Sequence, residues 1–112
     1  MNISFEEIGH LSVTLPACQC HVGLVCKVAP SGQAAACISK EAICGVVEAI
    51  RGETAAVQIH GFVTQPYTGT APVPGWCGLA ANGTGGVQVE AAAHKYLVVR
   101  VDTGKKHVTF EL

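Results

Sequence analysis

The chain has 112 residues and a net charge of −1; 49% of the residues are hydrophobic and only 13% are charged. Its seven Lys and Arg residues are scattered, which argues against nucleic-acid binding, and no apolar run reaches the about 18 residues needed to span a membrane. We therefore expect a single β domain, 1–112, whose low charge predicts apolar surface outside the core. Such surface usually marks contact with an oligomer partner or another protein; an ordinary Ala- and Gly-rich composition is the alternative.

The first 21 residues predict either an N-terminal arm that reaches a neighbouring subunit or a plain first strand. Phe5, Ile8 and Leu11 are spaced by three, whereas Leu11–Leu15 alternates as a short strand does. Pro16 ends that strand or places it at a sheet edge. The first ten residues contain two Glu and lack the basic segment of a secretory signal, so we expect synthesis in the cytosol.

The stretch Ile43–Thr64 predicts the hairpin around which the rest of the chain is organised. Its two apolar, β-branched runs flank Arg51–Glu53, a short polar turn that contains Gly. Gly61, in the middle of the second run, predicts a bulge or a close neighbour at that point. Before this hairpin, Val22–Ala29 and Gln33–Ser39 are predicted strands joined by a Pro-Ser-Gly turn.

The segment 65–76 is predicted to be irregular because it holds three Pro and two Gly residues. It also carries two of the few aromatic side chains, those of Tyr67 and Trp76. Aromatic rings on a stiff loop favour a protein contact, whereas the alternative is that the rings fold back and plug one end of a barrel. The candidate interface residues are Phe5, Ile8, Pro66, Tyr67, Pro72, Pro74 and Trp76.

The C-terminal third predicts two further hairpins. Asn82–Gly86 is a Gly-rich turn between the short runs Cys77–Ala81 and Val87–Glu90, and Lys95–Asp102 pairs with His107–Leu112. The whole chain then contains about eight short strands, mostly in antiparallel hairpins, with no sustained helical period. This pattern predicts an all-β fold, either a small barrel or a sandwich.

Cysteine and histidine supply the reactive groups, with six and five residues respectively. Without a secretion signal, we expect the cysteines to be reduced and largely buried rather than joined in disulfides. Cys18, Cys20 and His21, with Cys26, suggest a zinc site, but their spacing matches no common template, so we expect no metal and no cofactor. The histidines and acidic residues form no catalytic pattern, and we expect that the protein is not an enzyme.

Several Gly- and strand-rich motifs follow one another from Gly23 to the C-terminus. They are Gly23–Val28, Cys44–Val47, Ala56–Thr64, Pro66–Pro72, Asn82–Val87, Tyr96–Val99 and Val101–Thr103. In this order they resemble a family of small all-β head proteins of tailed phages and prophages of gut Firmicutes, usually encoded near the major capsid gene and similar to capsid decoration (cementing) proteins. No catalytic or ligand residue comes with the resemblance.

The resemblance implies a virion structural protein that binds and stabilises the capsid surface. Its implied partners are the major capsid protein and further copies of itself, most often as a homotrimer, because decoration proteins often occupy threefold positions. Another virion component, such as a head-fibre base or a tail-associated barrel, is the alternative. Since six cysteines exceed what such a barrel needs, a thiol- or metal-dependent small regulator or enzyme also stays open.

Overall fold

A computed structural model describes residues 9–112, which form ten β-strands in two sheets. No helix occurs in that range, so the all-β prediction is confirmed. The strands are β1 (Leu11–Pro16), β2 (Val25–Val28), β3 (Ala34–Ala36), β4 (Gly45–Arg51), β5 (Thr54–His60), β6 (Phe62–Thr68), β7 (Gly75–Ala81), β8 (Val87–Val89), β9 (Lys95–Asp102) and β10 (His107–Glu111).

The first sheet has the order β1-β5-β4-β2-β3 and contains the predicted central hairpin. Strands β4 and β5 pair antiparallel up to Arg51 and Thr54, and Gly52 takes the positive φ of 58° that the tight turn requires. β1 lies at one edge of this sheet, which is one of the two placements that Pro16 predicts. Just beyond β1, Cys18 N–H donates to the Ala34 carbonyl in β3, so the sheet curls until its two edges meet.

The second sheet is a closed barrel with the order β10-β6-β8-β7-β9. All its pairs are antiparallel except β6 with β8, which are parallel. The predicted turn after β7 is present: the Asn82 side-chain oxygen accepts hydrogen bonds from the N–H groups of Thr84 and Gly86, at 2.8 and 3.1 Å. Because each of the five strands pairs with another on both sides, the barrel presents a rigid outer surface.

Gly61 is the point where the chain leaves the first sheet and enters the barrel. The sequence predicts one strand through Gly61, but β5 ends before it and β6 begins after it. Its φ of 100° is one that glycine adopts readily, and the Gln58 amide holds this corner by donating to the His60 carbonyl at 3.0 Å. Where the sequence predicts a bulge or a close neighbour, the structure has a corner at which the chain changes from one sheet to the other.

The prediction that residues 65–76 are irregular is wrong at both ends of the segment. β6 continues through Pro66 to Thr68, and β7 already begins at Gly75. Pro66 lacks an N–H, but the strand is held around it because Tyr67 N–H donates to the Lys106 carbonyl at 3.0 Å. The irregular segment is only 69–74.

Two hydrophobic cores result. The larger one fills the barrel and also includes Val25 of β2 and Val46 of β4, so it joins the two sheets. The barrel core contains the Tyr96 and Phe110 rings in edge-to-face contact, with centroids 5.3 Å apart. The smaller core, inside the curled first sheet, includes Cys20, Cys26 and Val57, with Cys44 packed against it. Cys20, Cys26 and Cys44 therefore lie in or against the smaller core, whereas Cys37 and Cys77 lie in or against the larger one.

Candidate interaction surface

The most prominent exposed side chain is that of Trp76, on the outside of the barrel. Trp76 lies opposite Leu97 of β9, and Leu97 lies opposite Glu111 of β10, so these three side chains share one face. The neighbours of Leu97 along β9, Tyr96 and Val98, belong to the core, which places this row on the outer face. Trp76 is 71% exposed.

A shallow depression of about 220 Å³ adjoins the indole ring. We call the patch formed by Trp76, Leu97, Glu111 and Leu112 the Trp76 surface. It combines one large aromatic group and two half-buried leucines with a single carboxylate at the rim. The depression is lined by Trp76, His94, Lys95, Tyr96, Leu97, Glu111 and Leu112.

The structure separates the predicted interface residues into two groups. Pro66, Pro74 and Trp76 are exposed, as a contact requires. Tyr67 is only 4% exposed and Pro72 is also buried, so the prediction that these two offer contact surface is corrected: their side chains fill the interior. Phe5 and Ile8 lie outside the described residues.

Sequence reasoning missed three apolar residues that lie on or close to this side of the chain. Val73, between Pro72 and Pro74, is 69% exposed, and Leu97 and Leu112 contribute to the Trp76 surface. The signal for Leu97 was present in the alternation of β9, because its immediate neighbours are core residues. Alternation alone does not say which of the two faces is buried, so Leu97 could be assigned to the outer face only once Tyr96 and Val98 were known to be core residues.

A second, more polar cleft lies where the first sheet meets the barrel, and residues of β4, β5, β6, β9 and β10 line it. Its volume is about 430 Å³, and the Thr64 and Thr109 hydroxyl groups in its wall are 2.8 Å apart. Arg100 stands beside Thr109, while the Gln65 side-chain oxygen is buried without a hydrogen-bond partner among the described residues. This cleft has the polarity to hold solvent or a small polar group, and it lacks the exposed aromatic ring of the Trp76 surface.

The cysteines divide by environment, and all six are free thiols. Cys20, Cys26 and Cys37 are buried, Cys44 and Cys77 are half-buried, and Cys18 is exposed. Burial raises the pKa of the Cys37 thiol to about 11. In residues 9–112 no three His, Cys, Asp or Glu side chains are arranged to hold a metal ion, and the residues of the suggested zinc site do not come together.

Hydrogen bonding joins two of these thiols. The Cys26 and Cys44 sulfur atoms are 3.8 Å apart. This hydrogen bond, together with burial, raises the pKa of Cys26, and the same bond lowers the pKa of Cys44 because it stabilises the thiolate of its acceptor. The pair is therefore polarised, with Cys44 as the more acidic thiol.

Comparisons with known protein families, curated proteins and solved structures find no match to this chain. Within the described range, no helix has the length and hydropathy to cross a membrane. The function is therefore inferred from features of the chain itself.

Proposed function

We propose that this chain is a structural protein of a phage head that binds the outer capsid surface and stabilises it as a decoration protein. The observation that carries the proposal is Trp76, which stays 71% exposed although the barrel beneath it is already closed. Trp is enriched at the centres of protein interfaces, where it supplies much of the binding energy. The sequence resemblance to decoration proteins supports the major capsid protein as the partner.

The exposed area of Trp76 is large enough to matter for binding. A tryptophan side chain presents about 250 Å², so an exposed fraction of 71% leaves roughly 180 Å² available for a partner. At about 25 cal/mol per Å², covering that area would contribute roughly 4 kcal/mol per copy. Many copies on one head add their contributions through multivalency, so a modest affinity per copy is sufficient for stable decoration.

Further exposed apolar side chains support self-association, which we propose to be trimeric by the same resemblance. In residues 9–112, seven large hydrophobic residues are exposed by more than a third, and a chain with only 13% charged residues has little polar surface to surround them. They are Leu11, Val22, Val28, Ile38, Ile50, Val73 and Trp76.

The direct test is to add purified protein to heads of the phage that encodes this chain, after the native copies have been removed. We expect the protein to co-sediment with heads at micromolar concentration and to raise the temperature at which the heads release DNA. Cryo-electron microscopy of the same sample locates the density on the outer capsid surface. Density at a fibre or tail position would instead favour the other virion roles, and a monomer with no affinity for heads would contradict both the trimer and the decoration role.

A further inference from the structure

We infer that Cys26 and Cys44 form a redox-active pair that closes into an intramolecular disulfide by exchange with small disulfide molecules such as oxidised glutathione. The two sulfur atoms are 3.8 Å apart, and they belong to strand β2 and to the residue before β4. This inference does not depend on the phage role, because it uses only the geometry of the first sheet.

The backbone already holds the pair in place. The Cys44 N–H donates to the Cys26 carbonyl at 2.8 Å, beside the pairing of β2 with β4. A disulfide requires a sulfur–sulfur distance of about 2.05 Å, so the two atoms have to approach by less than about 2 Å. Both side chains contact the same core, that of the first sheet, and rotation of the side chains supplies this approach without separating the strands.

Cys26 and Cys44 are also distinguished from the other thiols. The hydrogen bonds of Cys37 and Cys77 within the described residues go to backbone carbonyl groups, at 4.0 and 3.8 Å, and not to another sulfur. Cys18 is exposed. Cys20 shares the core of Cys26, but among the described residues it is the Cys44 sulfur that is hydrogen-bonded to the Cys26 sulfur. The structure therefore favours one disulfide among the combinations that six cysteines allow.

The two thiols have different roles because their environments differ. Cys44 is half-buried, whereas its hydrogen-bond partner Cys26 is fully buried. A small disulfide can therefore reach Cys44 but not Cys26. The nucleophile in exchange is the thiolate, and the lowered pKa of Cys44 agrees with its position as the attacking group.

The exchange proceeds in two balanced steps. The Cys44 thiolate attacks one sulfur of the small disulfide; the bond between its two sulfurs breaks, and one small thiolate leaves and takes up the proton released from Cys44. Cys26 then gives its proton to the second leaving thiolate while its sulfur attacks the Cys44 sulfur. The protein loses two electrons and two protons, and the small disulfide becomes two thiols.

The bond would join the two strands covalently. It closes a loop between residues 18 positions apart, which restricts the unfolded chain. We expect the oxidised protein to unfold at a temperature about 10 °C higher than the reduced protein.

The test treats reduced, folded protein with oxidised glutathione, blocks the remaining thiols with an alkylating reagent and maps the peptides by mass spectrometry. A Cys18→Ser background removes the exposed thiol, which would otherwise form its own mixed disulfide. We expect two thiols to be lost and one peptide pair to join Cys26 to Cys44. Because this mapping needs no substitution in the pair itself, it does not depend on whether variants of the core fold.

Two variants then assign the steps. In Cys26→Ser the reaction should stop at a stable glutathione adduct on Cys44, whereas in Cys44→Ser Cys26 should stay unmodified while the protein is folded. A disulfide that maps to another pair, or full retention of both thiols after prolonged exposure, overturns the inference. An adduct on Cys26 rather than on Cys44 overturns the assignment of the attacking thiol.

Discussion

Replacement of Trp76 by Ala separates the two roles that a tryptophan can have, in the core or at an interface. With 71% of the residue exposed, roughly 70 Å² of an about 250 Å² side chain is covered by the fold. At about 25 cal/mol per Å², the free energy of unfolding should fall by at most about 2 kcal/mol. The exposed part of the side chain contacts only a partner, so its removal should weaken the complex, by roughly 4 kcal/mol, and not the folded chain.

Two matched variants give this prediction its scale. Phe110→Ala removes a ring that is fully buried in the barrel core, and should cost about 3–5 kcal/mol. Ile38→Ala removes a side chain that is 69% exposed, nearly as much as Trp76, but lies in the loop between β3 and β4. It should change neither stability nor head binding, because it is not part of the Trp76 surface.

The assay combines urea unfolding of the three variants with sedimentation, alone and with phage heads. We expect Trp76→Ala to stay folded, to self-associate less and to bind heads more than tenfold more weakly, whereas Ile38→Ala should bind heads as the parent protein does. If Trp76→Ala lowers stability as much as Phe110→Ala, the ring is a core residue and the reasoning from its exposure fails. If self-association and head binding are both unchanged, the Trp76 surface is not the contact.

Further predictions concern packing and pH. Gly45→Ala would place a Cβ 2.0 Å from the Gln58 carbonyl oxygen, so we expect the free energy of unfolding in urea to fall by more than about 2 kcal/mol. In the control Gly104→Ala the nearest atom is 3.4 Å away, so the free energy of unfolding should change by less than about 0.5 kcal/mol. The Lys27 ammonium, 2.7 Å from Glu41, and the Ile38 N–H lower the pKa of that carboxyl below its usual 4.5. Stability from this pair is therefore present above pH 4.5 and is lost as the pH falls through the folded-state pKa. Lys27→Met should reduce the acid-dependent fall in the urea midpoint, and an unchanged fall would contradict the assignment.

Local pattern was sufficient for the hairpins because their determinants are close in sequence. Gly52 supplies the positive φ between β4 and β5, and Asn82 accepts the N–H groups of its own turn, so each residue acts on chain within a few positions. The alternation of apolar residues predicted the strands themselves, because a strand with one buried face places every second side chain inward. The all-β class and most strands follow from these short-range effects.

The candidate surface depended on contacts that short-range pattern does not contain. Tyr67 and Trp76 belong to the same Pro-rich segment and have the same interface propensity, yet one is 4% and the other 71% exposed. Tyr67 points inward because it continues the buried row of every second residue along β6. The pairing of β7 with β9 instead places Trp76 on the outer face, opposite Leu97. Exposure is therefore a property of the closed barrel, not of the aromatic residue.

The thiol pair shows the same division between local and tertiary information. In the sequence, Cys26 and Cys44 are two of the six cysteines, and 18 positions separate them. Their apolar, strand-like surroundings predicted only that they are buried. Pairing of β2 with β4 brought their sulfur atoms to 3.8 Å. Likewise Gly61 was recognised as a special position in a strand, but only the pairing of β5 and β6 in different sheets made it the crossing between them. Backbone preference acts between neighbours in the chain, whereas burial and side-chain proximity depend on which distant strands pair.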